Sequence, residues 1–554
     1  MAELASAAVR PEAGPVIAVG GAAIDLAPPA LKDYAVRTFG TQDKLVLQLG
    51  ILAVLAGFAL ALGILALRQR RAASAGVLVF GVVGTVAALT RPFAGVLDAV
   101  PSVVGALAGA GVLYVLAGRL RTSGGREGAA SGEGGGEAGG RGGTDDGGAR
   151  GDGEAADGGG ATDGKETPGV LGPPDGTETP DSAVARPAPE PRRFDRRGFV
   201  IAASAVAAAS AGAGALGRKL NSSSGAAVAS RTNARLPAPG SPASAVPRGA
   251  DFRRPGLSPF ITPNREFYRV DTALVVPRID ATRWQLRIHG TGVRRPLTLG
   301  YRDLLRRELI ERDVTLTCVS NQVGGPYVGN ARWIGVPLAP LLEEAGVEPP
   351  SRGGRADQIV SRSVDGMTIG TPVEAVMDGR DAMLALGMNG EPLPFAHGFP
   401  LRMVVPGLYG YVSACKWLRE LELTTFDAYD VYWVQRKWAR EAPVKTASRI
   451  DTPGSFARLK SGTVAVAGVA WAQHRGIDRV EVRVDGGRWH TARLADEAGV
   501  DTWRQWLWEW EATPGSHRLE VRATDRSGAP QTGKRAGTVP DGATGWHSVV
   551  VTVE

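Results

Sequence analysis

The sequence predicts about four transmembrane helices, then an α+β domain, then an immunoglobulin-like β-sandwich. Three observations predict it. Uncharged apolar runs of membrane-crossing length crowd the first 120 residues, irregular short strand and helix patterns fill the middle of the chain, and short alternating strands with tight turns fill the end.

At 554 residues the chain exceeds one ordinary domain. The expected segments are an N-terminal stretch (1–44), three spans (45–120), a disordered Gly/Asp/Glu/Pro-rich linker (121–192), a signal-like fourth span (193–218), a tether (219–247), a catalytic domain (248–450) and the sandwich (451–554). Two cysteines, Cys318 and Cys415, rule out a disulfide framework, and they could pair only if the fold brought them together. The net charge of +7 is modest for this length, and no basic stripe is interleaved with aromatics. Nucleic-acid binding is therefore not expected.

Residues 45–67 carry no charge and are long enough to cross a hydrocarbon core of roughly 30 Å. Residues 72–90 and 99–118 are two further runs. Arg68, Arg70 and Arg71 lie between the first two runs, and Arg119 and Arg121 follow the third. The positive-inside rule places both clusters in the cytoplasm, although Lys32, Arg37 and Lys44 oppose this orientation. The linker lacks the apolar periodicity of a core. Its Arg150–Gly–Asp152 tripeptide is a chance product of that composition.

Arg192–Arg–Phe–Asp195–Arg196–Arg197–Gly–Phe–Val200 leads into the mildly apolar stretch 201–217. It resembles a twin-arginine export signal, though an internal one. An ordinary fourth span with a basic flank is the plainer reading. Either reading leaves everything after about residue 218 outside the cytoplasm, and the segment is expected to be retained. All six histidines lie at or beyond His289, and Met1 is the one methionine before the tether. Haem ligation in the spans is therefore not expected, and the spans read as an anchor or a docking site for a partner.

In the catalytic half, Trp284–Gln–Leu–Arg–Ile–His289 alternates like a strand. Residues 301–310 have leucines at helical spacing, and Val314–Thr–Leu–Thr is a short strand ending at Cys318. A lone cysteine is most often a small buried hydrophobe. As a thiolate it is a soft metal ligand or a nucleophile. No Cys-x-x-Cys or His-x-x-x-His spacing supports zinc.

The order of motifs sharpens this. Thr262–Pro–Asn–Arg–Glu–Phe–Tyr–Arg–Val–Asp271, then Cys318, Ser361–Arg–Ser–Val–Asp365–Gly, Met388–Asn–Gly–Glu–Pro–Leu–Pro394, His397–Gly–Phe–Pro–Leu–Arg402 and Cys415–Lys416–Trp417–Leu418 follow one another. This pattern resembles the sulfite oxidase family of molybdopterin enzymes from about residue 263 to 451. The resemblance implies a sulfite-oxidase-type α+β fold and a Mo-molybdopterin cofactor. It also implies two-electron oxygen-atom transfer in which molybdenum cycles between states VI and IV. Cys318 falls on the metal-ligand and catalytic position. Phe267, Tyr268, Arg269, Ser363, Asp365, His397, Arg402, Ala414, Cys415 and Lys416 fall on positions lining the cofactor. The pterin ends in a phosphate, which Arg402 and Lys416 could balance, and Gly407 and Gly410 would let backbone approach it.

Two departures bear on substrate. Sulfite oxidases follow their cysteine with an arginine pair, whereas here Val319–Ser–Asn–Gln–Val–Gly–Gly follows and the next arginine is Arg332. Met367 stands where an aromatic residue is expected at the substrate mouth. An anionic substrate loses charge-assisted contacts in such a pocket. The methionine sulfoxide reductase branch also lacks the arginine pair, so sulfoxide reduction is the alternative direction. An alternative of another class is a cofactor-free cell-surface binding protein.

From about Gly462, segments such as Val480–Glu–Val–Arg–Val484 followed by Asp485–Gly–Gly give the sandwich pattern. It resembles the family's C-terminal dimerisation domain, which implies a homodimer. Trp506, Trp508 and Trp510 would share one strand face. With Trp503 they serve either the sandwich core or an interface. The expected partners are a small-molecule substrate, an unknown electron-transfer protein that could itself be membrane-bound, and the membrane.

Overall fold

The structure is a computed structural model that describes residues 1–9, 13–27, 43–91, 94–121, 196–221, 224–273 and 275–554. The linker 122–191, the signal residues 192–195 and the basic residues Lys32 and Arg37 lie outside the described residues.

The uncharged runs form the helices Asp43–Arg68, Arg70–Leu89 and Val100–Arg121, the last preceded by the 3-10 turn Val96–Ala99. Among the described residues, three segments are long and apolar enough to cross a membrane: Leu49–Arg68, Arg70–Leu89 and Val96–Gly118. Their leucines, valines and Phe58 point outward, as a lipid-facing surface requires. Gly81 lets the second and third pack closely, since a Cβ there would collide with the Ala106 Cβ.

The expected fourth span is a helix, Arg196–Asn221, but its apolar part is only Ala203–Leu216. That part covers roughly 21 Å, short of a core of about 30 Å, because Ala, Gly and Ser dilute its apolarity before Arg218 and Lys219 end it. Among the described residues there are thus three apolar helices of membrane-crossing length and one shorter apolar helix, which lies against Ala2–Val9.

Two five-stranded sheets build the catalytic half. One runs in the order Leu297–Gly300, Gln285–Gly290, Leu418–Thr424, Gln358–Ser363, Thr368–Pro372. The pair Gln285–Gly290 and Leu418–Thr424 is parallel, and the others are antiparallel. Leu286 and Ile288 are fully buried while Gln285 and Arg287 face out, the alternation of a half-buried strand. The other sheet places Val328–Pro337 between Ile310–Thr317 and Met383–Met388, with Glu391–Pro392 and Arg402–Val404 against the last. All six residues of Met383–Met388 are buried, so this strand is central.

The helix expected over 301–310 is only Tyr301–Leu305. Tyr301 and Leu304 already fill its buried face, and the β-branched Ile310 opens the strand that ends at Cys318.

The C-terminal β-rich part has two facing sheets. One runs Ala447–Thr452, Gly462–Trp471, Arg504–Ala512, Arg493–Leu494; the other runs Arg458–Leu459, His547–Val553, Gly515–Asp525, Ile477–Val484, His490–Thr491. The strand Ala447–Thr452 straddles the boundary expected at 450/451, because it pairs with Gly462–Trp471. Val466, Val480, Val482, Leu519, Val521, Val549 and Val551 fill the space between the sheets, with Trp506 and Trp510 buried among them and Trp508 half-buried against them.

Trp503 behaves differently. It packs into the catalytic core, and its indole N–H donates to the Phe260 carbonyl at 2.9 Å. The backbone N–H of Trp503 donates to Thr315 Oγ1 at 2.7 Å, and Gln473 Nε2 donates to Thr315 O and Thr317 Oγ1 at 2.9 and 3.0 Å. The C-terminal part therefore clamps the strand leading to Cys318. Trp503→Ala removes this plug and one of the two donors to the Phe260 carbonyl, which keeps Asn330 Nδ2 at 2.9 Å. It is expected to cost about 3–5 kcal/mol, read as a lower denaturation midpoint.

Candidate functional site

Cys318 stands where the strand Ile310–Thr317 turns into a loop. Its N–H donates to Tyr327 O at 2.9 Å, and its carbonyl accepts from Asn321 N–H at 3.0 Å. The thiol is buried, 8% exposed, and unpaired with Cys415, which is also free. Burial pushes its pKa up, while Ser320 and the charge of Lys416 pull the other way. Left alone the group is a thiol, and a bound metal ion would hold it as thiolate.

Arg402 opens the short strand Arg402–Val404, as its place before Met403–Val–Val predicts, and is 6% exposed. Its guanidinium stacks over Trp333, 5.1 Å from the ring centre. One long bond joins Nη1 to His397 O at 3.5 Å, and Nε is buried without a partner. Desolvation pulls its pKa down to about 10. Tyr268, half-buried and with its pKa raised chiefly by desolvation, is influenced by Cys318 and by Arg402, so its hydroxyl lies near both. Phe267 stacks on Tyr268 and meets Trp333 and His397 edge-on, so its ring is packing that holds the others.

His397 ends the turn Phe395–His397, where Gly398 reverses the chain at φ +111° beside Lys416. Its Nε2 lies 2.8 Å from Asn264 O. A carbonyl can only accept, so Nε2 carries the proton. Burial pulls the imidazole pKa down to about 4, helped by the charges of Arg402, Lys416 and Arg269. The unfolded imidazole titrates near 6.5, so between pH 6.5 and 4 the unfolded chain binds a proton that the fold refuses. Stability is full above pH 6.5 and falls by about 3 kcal/mol as pH drops through that window. Urea unfolding of cofactor-free protein at pH 7 and 4.5 checks this, and His397→Gln should flatten the difference.

Lys416 is already engaged: its Nζ lies 2.8 Å from Asp271 Oδ2, and both side chains are buried. Arg269, one-third exposed, approaches the same oxygen at 3.4 Å. Ser363 Oγ is buried without a partner, and Asp365 Oδ1 accepts from Met367 N–H at 3.4 Å. Ala414 and Cys415 are buried beside them, and Cys415 O accepts from Met403 N–H at 2.9 Å. The Cys415 thiol is raised by burial and by Asp365, against Arg402 and Lys416.

The fold therefore gathers the residues singled out in the sequence, with one correction. Gly407, at φ +83°, abuts His474 and Arg380 rather than a cofactor space, because its turn docks on the C-terminal part. Gly410 faces Tyr268 and Thr317. Arg332 is held by Asp313 at 2.8 Å, so its charge is spent there. Asn264, Asp271 and Trp333 were missed. The first two lie in the singled-out 262–271 segment, and their pairing with His397 and Lys416 across the fold left no local signal.

A phosphate-bearing pterin fits this cradle. A buried guanidinium nitrogen and a buried hydroxyl without partners call for a polar ligand, with the neutral imidazole of His397 and the Asp271-paired cations Lys416 and Arg269 beside them.

Residues 273–433 match the oxidoreductase molybdopterin-binding domain. Sulfite oxidase of Gallus gallus is 31% identical over 298 residues, covering 46% of this chain and 63% of that one. Mitochondrial sulfite oxidase of Mus musculus is 29% identical, covering 47% and 55%. Sulfite oxidase of Arabidopsis thaliana is 26% identical, covering 53% and 89%. The chain thus spans under two thirds of the two vertebrate relatives, and residues 273–433 hold Cys318, Ser363, Asp365, His397, Arg402 and Lys416, with the segment 264–271 just before them. Residues 273–433 thus form an oxidoreductase molybdopterin-binding domain, and over about half of its length the chain is similar to sulfite oxidases.

Proposed function

We propose that this chain is a membrane-anchored, extracytoplasmic enzyme that moves an oxygen atom to or from a small molecule at a Cys318-bound molybdenum. The observation that carries it is the buried, unpartnered Arg402 Nε, whose charge, like that of Cys318, acts on Tyr268, with His397, Lys416 and Arg269 close by. When bound, the molybdenum cofactor supplies the two-electron redox chemistry. Cys318 would hold the metal. Arg402, with Lys416 and Arg269, would balance the phosphate. Ser363 Oγ would bond the pterin, and neutral His397, fixed by Asn264, would offer its Nδ1 lone pair. Tyr268 and Phe267 would exclude water from that space.

The spans support a multi-pass anchor, and the arginines at 68, 70, 71, 119 and 121 support a cytoplasmic place for their connections. The twin-arginine-like helix would then carry the folded catalytic part across. The two facing C-terminal sheets support an immunoglobulin-like module, which could pair two copies, and electrons would pass to or from a separate protein.

Sulfoxide reduction is the second reading, favoured because the loop after Cys318 carries Asn321 and Gln322 and the next arginine is bound to Asp313. Turnover of the full chain in right-side-out vesicles separates the readings, with sulfite plus an impermeant electron acceptor set against a sulfoxide plus an impermeant donor. Sulfoxide-dependent turnover at the outer face supports reduction, and sulfite-dependent turnover supports oxidation. Activity appearing only in inverted vesicles contradicts the extracytoplasmic placement.

A further inference from the structure

The segment expected as a tether is bonded to the catalytic half. Its helix Ser224–Thr232 buries Ala227, and Ser230 Oγ accepts from Ala281 N–H at 3.1 Å. Arg231 donates to Leu393 O and Pro392 O at 2.8 Å each and to Glu391 Oε2 at 3.0 Å. Leu236 packs against the catalytic core. Ser241 N–H donates to Leu309 O at 3.2 Å, and Ser241 O accepts from Glu311 N–H at 2.9 Å. Residues 224–241 are therefore a strap laid on the catalytic half.

The strap starts close to an apolar helix. Residues 222 and 223 alone separate the end of the helix Arg196–Asn221 from Ser224. Two residues reach at most about 7 Å when extended. The apolar part of that helix ends at Leu216, and the basic residues Arg218 and Lys219 that follow suit the headgroup level. Ala227 thus lies within roughly 25 Å of Leu216. The unit that the strap carries, residues 224–554, is about 50 Å across by the usual size scaling of compact chains. Its attachment point therefore stays in the half of the body nearest the lipid.

The surface around that point has the chemistry lipid requires. Arg278 lies over the Phe395 ring at 5.9 Å, and Glu391 Oε1 accepts from Asn264 Nδ2 at 2.6 Å. With the bonds of Ser230 and Arg231, these contacts join residues 225–235, 264–271, 275–281 and 391–395 into one face. Three large apolar side chains are exposed on it, Val228, Val270 and Val275. Arg235, Arg265 and Arg278 are exposed there too. Among the described residues Arg235 bonds backbone carbonyls alone and Arg278 meets the Phe395 ring, so no carboxylate neutralises either charge. Apolar side chains beside unspent arginines suit a surface that sits among headgroups.

We infer that this face of the catalytic half rests on the lipid surface, held there by the strap. The segment 264–271, which fixes His397 through Asn264 and Lys416 through Asp271, then lies on the membrane side. The inference rests on the membrane anchoring proposed above and adds how the catalytic part is oriented. It holds on whichever side of the membrane the strap emerges, because it depends on chain length and surface chemistry alone.

The test is fluorescence quenching in full-length protein reconstituted into phosphatidylcholine–phosphatidylglycerol vesicles that carry lipid nitroxide-labelled at the headgroup. Val228→Cys and Val275→Cys place a fluorophore on the proposed face. Ser461→Cys places it at the distal end, because the strand Gly462–Trp471 runs roughly 30 Å from there to Trp471 in the catalytic core. Cys318 and Cys415 are buried and escape labelling. The two near sites are expected to be quenched at least threefold more than the distal one. A flexible Gly/Ser insertion between residues 222 and 223 should at least halve that contrast, with melting temperature unchanged. Equal quenching at the three sites, stronger quenching at Ser461→Cys, or a contrast that the insertion leaves intact overturns the inference. An impermeant maleimide applied to Ser461→Cys in intact cells reports separately on the extracytoplasmic placement. Labelling only after lysis, with the contrast present, fails that placement alone.

Discussion

Arg402→Met is expected to give a protein that, without cofactor, is more stable than the parent by about 1–2 kcal/mol, yet retains less than a tenth of the parent's pterin. The argument is the guanidinium's isolation. It is buried, its Nε has no partner, its one hydrogen bond is 3.5 Å long, and its pKa has been driven down to about 10. A buried cation without a carboxylate costs stability in the empty protein, and the stack on Trp333 offsets only part of that cost. Methionine keeps the stem and removes the charge. Chemical denaturation of cofactor-free protein and fluorescence of released pterin give the two readouts. A destabilised variant that keeps its pterin would mean that Arg402 serves the fold alone.

Lys416→Met should act with the opposite sign on stability. It strips Asp271, itself 4% exposed at the side chain, of a partner at 2.8 Å. Removing one half of a buried pair typically costs 3–5 kcal/mol. Arg269 stays at 3.4 Å but is one-third exposed and screened, so the expected loss is about 3 kcal/mol. Adding Asp271→Asn should restore most of that stability, because the orphaned charge is gone, without restoring pterin retention. Full recovery of both in the double variant would show that Lys416 exists to neutralise Asp271.

The contrast between these residues shows what the sequence could reveal. Local pattern placed Arg402 and Cys318 at strand ends, while the roles proposed for them came from the order of motifs, because a lone cysteine or arginine carries no such signal by itself. Lys416 was legible as a cation near the cofactor but not as the partner of Asp271, 145 positions away, because that distance closes only in the fold. The same holds for Asn264 with His397 and for the clamp of Gln473 and Trp503 on Thr315.

Among the elements, the three long apolar helices were legible because their apolar runs are unbroken. The helix at 196–221 misled because helix formation and membrane crossing have different requirements, and Ala-rich sequence satisfies the first more readily. The stretch 301–310 misled because leucine spacing cannot show where a helix yields to a strand. The tryptophans divided by register: 506, 508 and 510 share the sandwich face, while Trp503 precedes the strand and turns to the catalytic core.

The most direct test of the central claim is the molybdenum and pterin content of the full-length protein, purified in detergent from cells supplied with molybdate, beside Cys318→Ser. The account predicts about one molybdenum per chain in the parent, with a visible absorption band from the metal-bound thiolate that Cys318→Ser loses. Parent protein free of both molybdenum and pterin would contradict it, and would leave the C-terminal sheets as part of a cofactor-free binding protein.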